Sequence, residues 1–82
     1  MNYTINFTQV PGLSDNEDFV NDIESKVSAF FKYVIDPEDK IGQEYEVTLY
    51  TEQQGSKVYL HMDFFNQMYN ESMYHLSCCI AC

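Results

Sequence analysis

The chain has 82 residues, with thirteen Asp and Glu against four Lys and no Arg, for a formal net charge of −9 at neutral pH. That length holds one domain, and seven Tyr with six Phe supply more large apolar surface than a disordered segment carries. The charge argues against direct binding to nucleic acid or an anionic membrane and favours a basic protein partner. Without Arg there is also no planar fork to grip a phosphate.

Residues 2–10, NYTINFTQV, alternate, with Tyr3, Ile5 and Phe7 on one face and Asn2, Thr4, Asn6 and Thr8 on the other. This is the period of a half-buried strand, and Pro11-Gly12 ends it. Ser14 followed by Glu17 reads as a capping box, with Asp15 and Asp18 placed to complement the helix dipole. Phe19, Ile23, Val27, Phe30 and Val34 then recur at spacings of three and four, a stripe widened by Val20 and Phe31. Asp18, Asp22, Ser25 and Lys32 fall outside it. The helix is expected to stop near Ile35, because the residue before Pro37 disfavours helical geometry.

PEDKIGQ reads as a loop. In EYEVTLYTE, Tyr45, Val47 and Leu49 share one face, and Glu44, Glu46, Thr48, Tyr50 and Glu52 the other. QQGS is a turn, after which Val58, Leu60, Met62 and Phe64 alternate with Tyr59, His61, Asp63 and Phe65; two such runs around a short Gly-containing turn make a hairpin. After a second turn at YNES, the chain ends in MYHLSCCIAC. There Tyr74, Leu76, Cys78 and Ile80 alternate with Met73, His75, Ser77 and Cys79. The expected fold is a single α+β domain over residues 1–82, one amphipathic helix on a mostly antiparallel sheet in the order β-α-β-β-β.

All three cysteines lie at the end of the chain, and Cys79-Ile-Ala-Cys82 has CxxC spacing. With His61 and His75 it suggests a zinc site, but one CxxC is half of such a site, and a strand points Cys78 and Cys79 to opposite faces. A redox pair needs the motif at a helix N-terminus, which is missing here. A prenylation signal of the C-a-a-X type lacks the usual last residue and a preceding basic stretch, and an acidic flank is repelled by an anionic leaflet. The cysteines are therefore expected to be small apolar residues of a closing strand. Asn2, Asn6 and Asn70 begin glycosylation sequons. However, the polar start MNYTINFTQV lacks the features of a secretion signal. No apolar run approaches the ~20 residues of a membrane span, so the expected location is the cytosol, that of the host if the source is viral.

His61 and Asp63, two apart on one strand face beside Glu44 or Glu46, are the ingredients of a general base. With no nucleophile elbow and no Gly-rich phosphate loop, neither catalysis nor a metal or cofactor is expected. The acids remain. They fall at the helix start (Asp15, Glu17, Asp18, Asp22, Glu24) and in the loop and strand that follow (Asp36, Glu38, Asp39, Glu44, Glu46, Glu52). Glu44 and Glu46 on one strand face stand about 6.8 Å apart, close to the pitch of phosphates along a nucleic-acid strand. Tyr50, Tyr59 and Phe65 share that side, and aromatic side chains are typical interface anchors. Together with Tyr69 and Tyr74 they exceed what one helix can cover, so the second sheet face should be wet, dimeric or bound.

The residues expected to hold a partner are Asp15, Asp18, Asp22, Glu44, Glu46 and Glu52 for electrostatic contact, with Tyr50 and Tyr59 as anchors. These features suggest a small inhibitor that occupies the nucleic-acid groove of a basic protein. In size, charge and architecture this resembles the acidic mimics that phages direct against CRISPR or restriction systems. Two alternatives are an immunity protein against a basic nuclease toxin, and a homodimeric assembly subunit using the aromatic sheet face or the cysteine-bearing edge.

Overall fold

The structure, a computed structural model, describes residues 3–38 and 43–81. Five elements follow in chain order: β1 (Tyr3–Asn6), α1 (Glu17–Phe30), β2 (Tyr45–Gln54), β3 (Lys57–Asn66) and β4 (Glu71–Ala81). The strands form one sheet in the order β1-β2-β3-β4. β1 runs parallel to β2 and the other two pairings are antiparallel. This is the expected α+β architecture. Asp39 and Gly42 of the loop, together with Asn2 and Cys82, lie outside the described residues.

β1 is shorter than the alternation of residues 2–10 suggests, because the Asn6 side chain turns the backbone aside. Its Oδ1 accepts hydrogen bonds from the Thr8 amide at 2.8 Å and the Thr8 hydroxyl at 2.7 Å, an Asx turn that competes with the strand ladder. A run of turns follows, and it still delivers Val10 to the core.

The helix cap is not the expected capping box. Asn16 is the N-cap, with extended backbone geometry, and its Oδ1 accepts from the Phe19 amide at 3.1 Å. The Ser14 hydroxyl instead donates to the Pro11 carbonyl at 2.8 Å, and Asp15 precedes the first turn, which holds Glu17 and Asp18. At the other end α1 continues as a π-helical turn, Phe31–Ile35, closed by the Asp36 amide donating to Phe31 O at 2.7 Å. Ile23, Val27, Phe31 and Ile35 are the residues that it buries. Steps of four residues drift by about 40° each around an α-helix. The wider i→i+5 turn takes up that drift and brings Ile35 over the sheet. Val34, expected on the buried stripe, is therefore 40% exposed while Ile35 is 1% exposed.

The core lies between α1 and one face of the sheet. Tyr45, Val47 and Leu49 of β2 and Leu60, Met62 and Phe64 of β3 meet the helix residues there, on the faces that alternation assigns to them. Phe31 stacks on Tyr3 at 4.7 Å and meets Tyr45 edge-on at 5.4 Å, geometries that aromatic rings favour. Tyr74, counted among the aromatics that one helix could not cover, belongs to this core side, edge-on to Phe30 at 5.4 Å.

β4 departs from simple alternation at two bulges. Phe64 pairs with Tyr74 but Phe65 with Ser72, and Tyr59 pairs with Cys79 but Val58 with Ala81. Met73 and Ile80 are the extra residues, which a bulge leaves outside the ladder. Both are exposed, so Ile80 does not join Tyr74, Leu76 and Cys78 on the core side as expected.

Candidate binding face

The sheet face turned away from α1 carries the other half of each alternating strand. Glu46, Thr48, Tyr50 and Glu52 project from β2, and Tyr59, His61, Asp63 and Phe65 from β3. His75, Ser77 and Cys79 come from β4. The bulge at Met73 brings Ser72 to the same side, where its hydroxyl donates to Asp63 Oδ2 at 2.8 Å. Tyr50, Tyr59 and Phe65 are half-buried by their neighbours, with no second layer of described residues over them.

Three rings form the centre of this face. Register places Tyr50 opposite His61, and the two rings stack at 4.8 Å with 13° between their planes. His75 completes the cluster, 5.0 Å from His61 and 6.2 Å from Tyr50 between ring centroids. Around the rings runs a chain of polar contacts across three strands. Glu52 Oε1 lies 2.9 Å from His61 Nε2, and His61 Nδ1 lies 2.8 Å from His75 Nε2. His75 Nδ1 lies 3.9 Å from Asp63 Oδ1, and Asp63 holds Ser72. A carboxylate only accepts, so Nε2 of His61 is the donor to Glu52. A singly protonated ring then presents Nδ1 as an acceptor, and His75 Nε2 donates to it.

This constellation differs from the one expected around His61. Its acid is Glu52, on the diagonal of the β2–β3 ladder, rather than Glu44 or Glu46. Glu46 is opposite Phe65 and accepts a long hydrogen bond from Asn6 Nδ2 at 3.4 Å. Glu44 lies just before β2, exposed, with its backbone carbonyl held by the Gln67 amide at 3.0 Å. The pair Glu44 and Glu46 is thus not a rigid ladder on one strand. His75 is the residue that sequence reasoning undervalued. Alternation already placed it on the side of Cys79, and an antiparallel β3–β4 ladder brings that side next to His61.

The expected contact residues divide between two sides of the molecule. Glu46, Glu52, Tyr50 and Tyr59 share the open face. Asp15, Asp18 and Asp22 stand exposed on or beside α1, across the sheet from them, and Asp22 forms an i,i+4 ion pair with Lys26. Tyr69 is exposed in the β3–β4 turn, away from the face.

The face presents aromatic and imidazole rings interleaved with carboxylates. The Ser72 hydroxyl gives its proton to Asp63 and is not aimed at a histidine base. The Cys79 thiol donates to the Ala81 carbonyl at 3.3 Å. Among the described residues no group of three His, Cys, Asp or Glu side chains is placed to hold a metal ion. No described helix is long and apolar enough to cross a membrane. No family model, curated protein or solved structure matches the chain.

Proposed function

We propose that this is an acidic binding protein that docks a basic protein on the open face of its sheet, at a partner surface built for nucleic acid. One observation carries the reading: half-buried Tyr50, Tyr59 and Phe65 interleave with Glu46, Glu52 and Asp63 on a face that α1 leaves uncovered. Aromatics supply desolvated contact area at an interface, and the carboxylates select Lys and Arg over neutral or acidic partners. Glu46 and Glu52 each commit one oxygen to a neighbour within the sheet, which fixes the direction in which the carboxylate faces outward. Asp15, Asp18 and Asp22 lie on the far side, so they act through the long-range field that speeds encounter. Groove occupation of this kind inhibits an effector such as a CRISPR or restriction nuclease, and the same device neutralises a basic nuclease toxin.

The test is capture from host-cell extract at low salt on immobilised protein, followed by addition of polynucleotide. A basic protein should be retained, released by the polynucleotide, and lost as salt is raised. Retention that polynucleotide does not disturb rejects the groove. The double variant Glu46→Lys/Glu52→Lys should weaken binding at least a hundredfold, whereas Asp15→Lys/Asp18→Lys should slow association with little change in dissociation. Equal affinity of the open-face variant and the natural chain, both folded by circular dichroism, overturns the reading.

A further inference from the structure

We propose that β4 is a self-association edge. Two copies pair their β4 strands antiparallel about a two-fold axis at Leu76, joining two four-stranded sheets into one of eight strands. The proposal is independent of the partner proposed for the open face.

The first support is the character of the edge. β4 is the last strand of the sheet, eleven residues long, and from Tyr74 to Cys78 its outer side meets no strand among the described residues. Edge strands are normally blunted by brevity, lysine, proline, inward-pointing charge or bulges that twist the edge away. β4 has no lysine and no proline, and its one acidic residue is Glu71, at the first position. Its bulge residues, Met73 and Ile80, bracket the central stretch from Tyr74 to Cys79 and leave that stretch regularly paired to β3.

The second support is an incomplete layer. No residue of β4 is fully buried, although Tyr74, Leu76 and Cys78 face the core side and pack against its margin. α1 sits over β2 and β3 and reaches β4 through Phe30 on Tyr74, leaving Leu76 and Cys78 only half-covered. A two-fold axis perpendicular to the sheet keeps both helices on the same side of the joined sheet. The half-covered side chains of the two β4 strands then face one another beneath the gap between the helices.

Charge and shape select a second copy as the occupant. About an axis at Leu76, Leu76 faces its own counterpart, and Tyr74 faces Cys78 in both directions, large against small. The regular stretch from Tyr74 to Cys78 pairs, and Glu71 lies beyond it. The two Glu71 carboxylates then stand at opposite ends of the seam, ~33 Å apart, several times the ~8 Å screening length of physiological salt. Two molecules that each carry −9 can meet along β4 without facing acid against acid. A basic peptide would find almost no carboxylate along the same edge.

Sedimentation velocity under reducing conditions, from about 1 to 200 µM, should show a monomer–dimer equilibrium that salt strengthens, the opposite sign to capture of a basic partner. Leu76→Lys, which sets two like charges face to face at the axis, should weaken the dimer at least a hundredfold and keep the circular dichroism spectrum. Because Leu76 also touches the core, a second variant reads the geometry directly. Leu76→Cys in a Cys78→Ala/Cys79→Ser/Cys82→Ser background should form one interchain disulfide on mild oxidation, since directly opposed residues have Cβ atoms about 4.5–5.5 Å apart. A monomer at every concentration overturns the proposal. So does a dimer that persists in Leu76→Lys, or one in which the Leu76→Cys variant yields no interchain cross-link.

Discussion

Asn66 is the one polar residue, among those described, that is fully buried, and its side chain holds the β3–β4 connection in shape. Its Oδ1 accepts from the amides of Met68 at 2.9 Å and Tyr69 at 3.0 Å, while its Nδ2 donates to Gln43 Oε1. Asn66→Ala removes three hydrogen bonds of a buried side chain, to the Met68 and Tyr69 amides and to Gln43, each contributing about 0.5–1.5 kcal/mol. Denaturant unfolding should show a loss of at least ~2 kcal/mol. The helix cap gives a paired prediction at the same scale. Asn16→Ala removes the acceptor for the Phe19 amide and should cost ~1 kcal/mol, whereas Ser14→Ala should cost clearly less, since its hydroxyl serves only the preceding turn. Pattern alone favoured Ser14 for its partner Glu17, but the turns from Phe7 to Asn16 fix where the helix starts, and spacing does not reveal consecutive turns.

At the scale of elements, β2, β3 and β4 were legible because each alternates over at least six residues, with short turns between them. Gly55 shows how local chemistry sets register. Its φ of +62° suits the first central position of a two-residue hairpin turn, where glycine is favoured, and the β2–β3 ladder runs in register from that turn to Tyr45 and Asn66. A Cβ added at Gly55 would meet nothing within 4 Å, so the cost of Gly55→Ala is purely the left-handed backbone, about 1 kcal/mol. What could not be read was any change of period within an element. The α-helical repeat assigned Val34 to the core, and the π-helical turn replaced it with Ile35. Ile35→Ala should therefore cost about 2–4 kcal/mol, as for a large core residue, and Val34→Ala within ~0.5 kcal/mol, as for a surface position. Equal losses in thermal unfolding would reject that turn. The bulges in β4 belong to the same class. They reassign Ser72, Met73 and Ile80, but leave Tyr74, Leu76 and Cys78 where alternation put them. For the open face, the aromatic and acidic residues of β2 and β3 were visible as a set. The link from Glu52 through His61 to His75 needed the register of two ladders, which no single strand encodes.

For the molecule as a whole, one charge distribution should act on folding and on the proposed capture of a basic partner in opposite directions. A net charge of −9 makes the compact state repel itself. The relief built into the fold is small. Among the described residues, Asp22 with Lys26 is the one ion pair between permanently charged side chains, and an exposed i,i+4 pair contributes only about 0.3–0.5 kcal/mol. Glu17 and Asp18 gain from the dipole at the start of α1, but Asp36 and Glu38 at its far end meet the unfavourable pole. Salt screens exposed charges over about 10 Å at 0.1 M, so it should stabilise the folded chain while weakening capture of a basic partner. Raising NaCl from about 20 to 300 mM should lift the unfolding temperature by several degrees, since about 1 kcal/mol corresponds to ~4–8 °C in a domain of this size. The proposed pairing along β4 should follow the fold rather than the partner. A fold that melts earlier in salt would mean that its carboxylates are held by attraction rather than strained by repulsion. The acidic balance would then be a source of stability rather than a cost carried for binding.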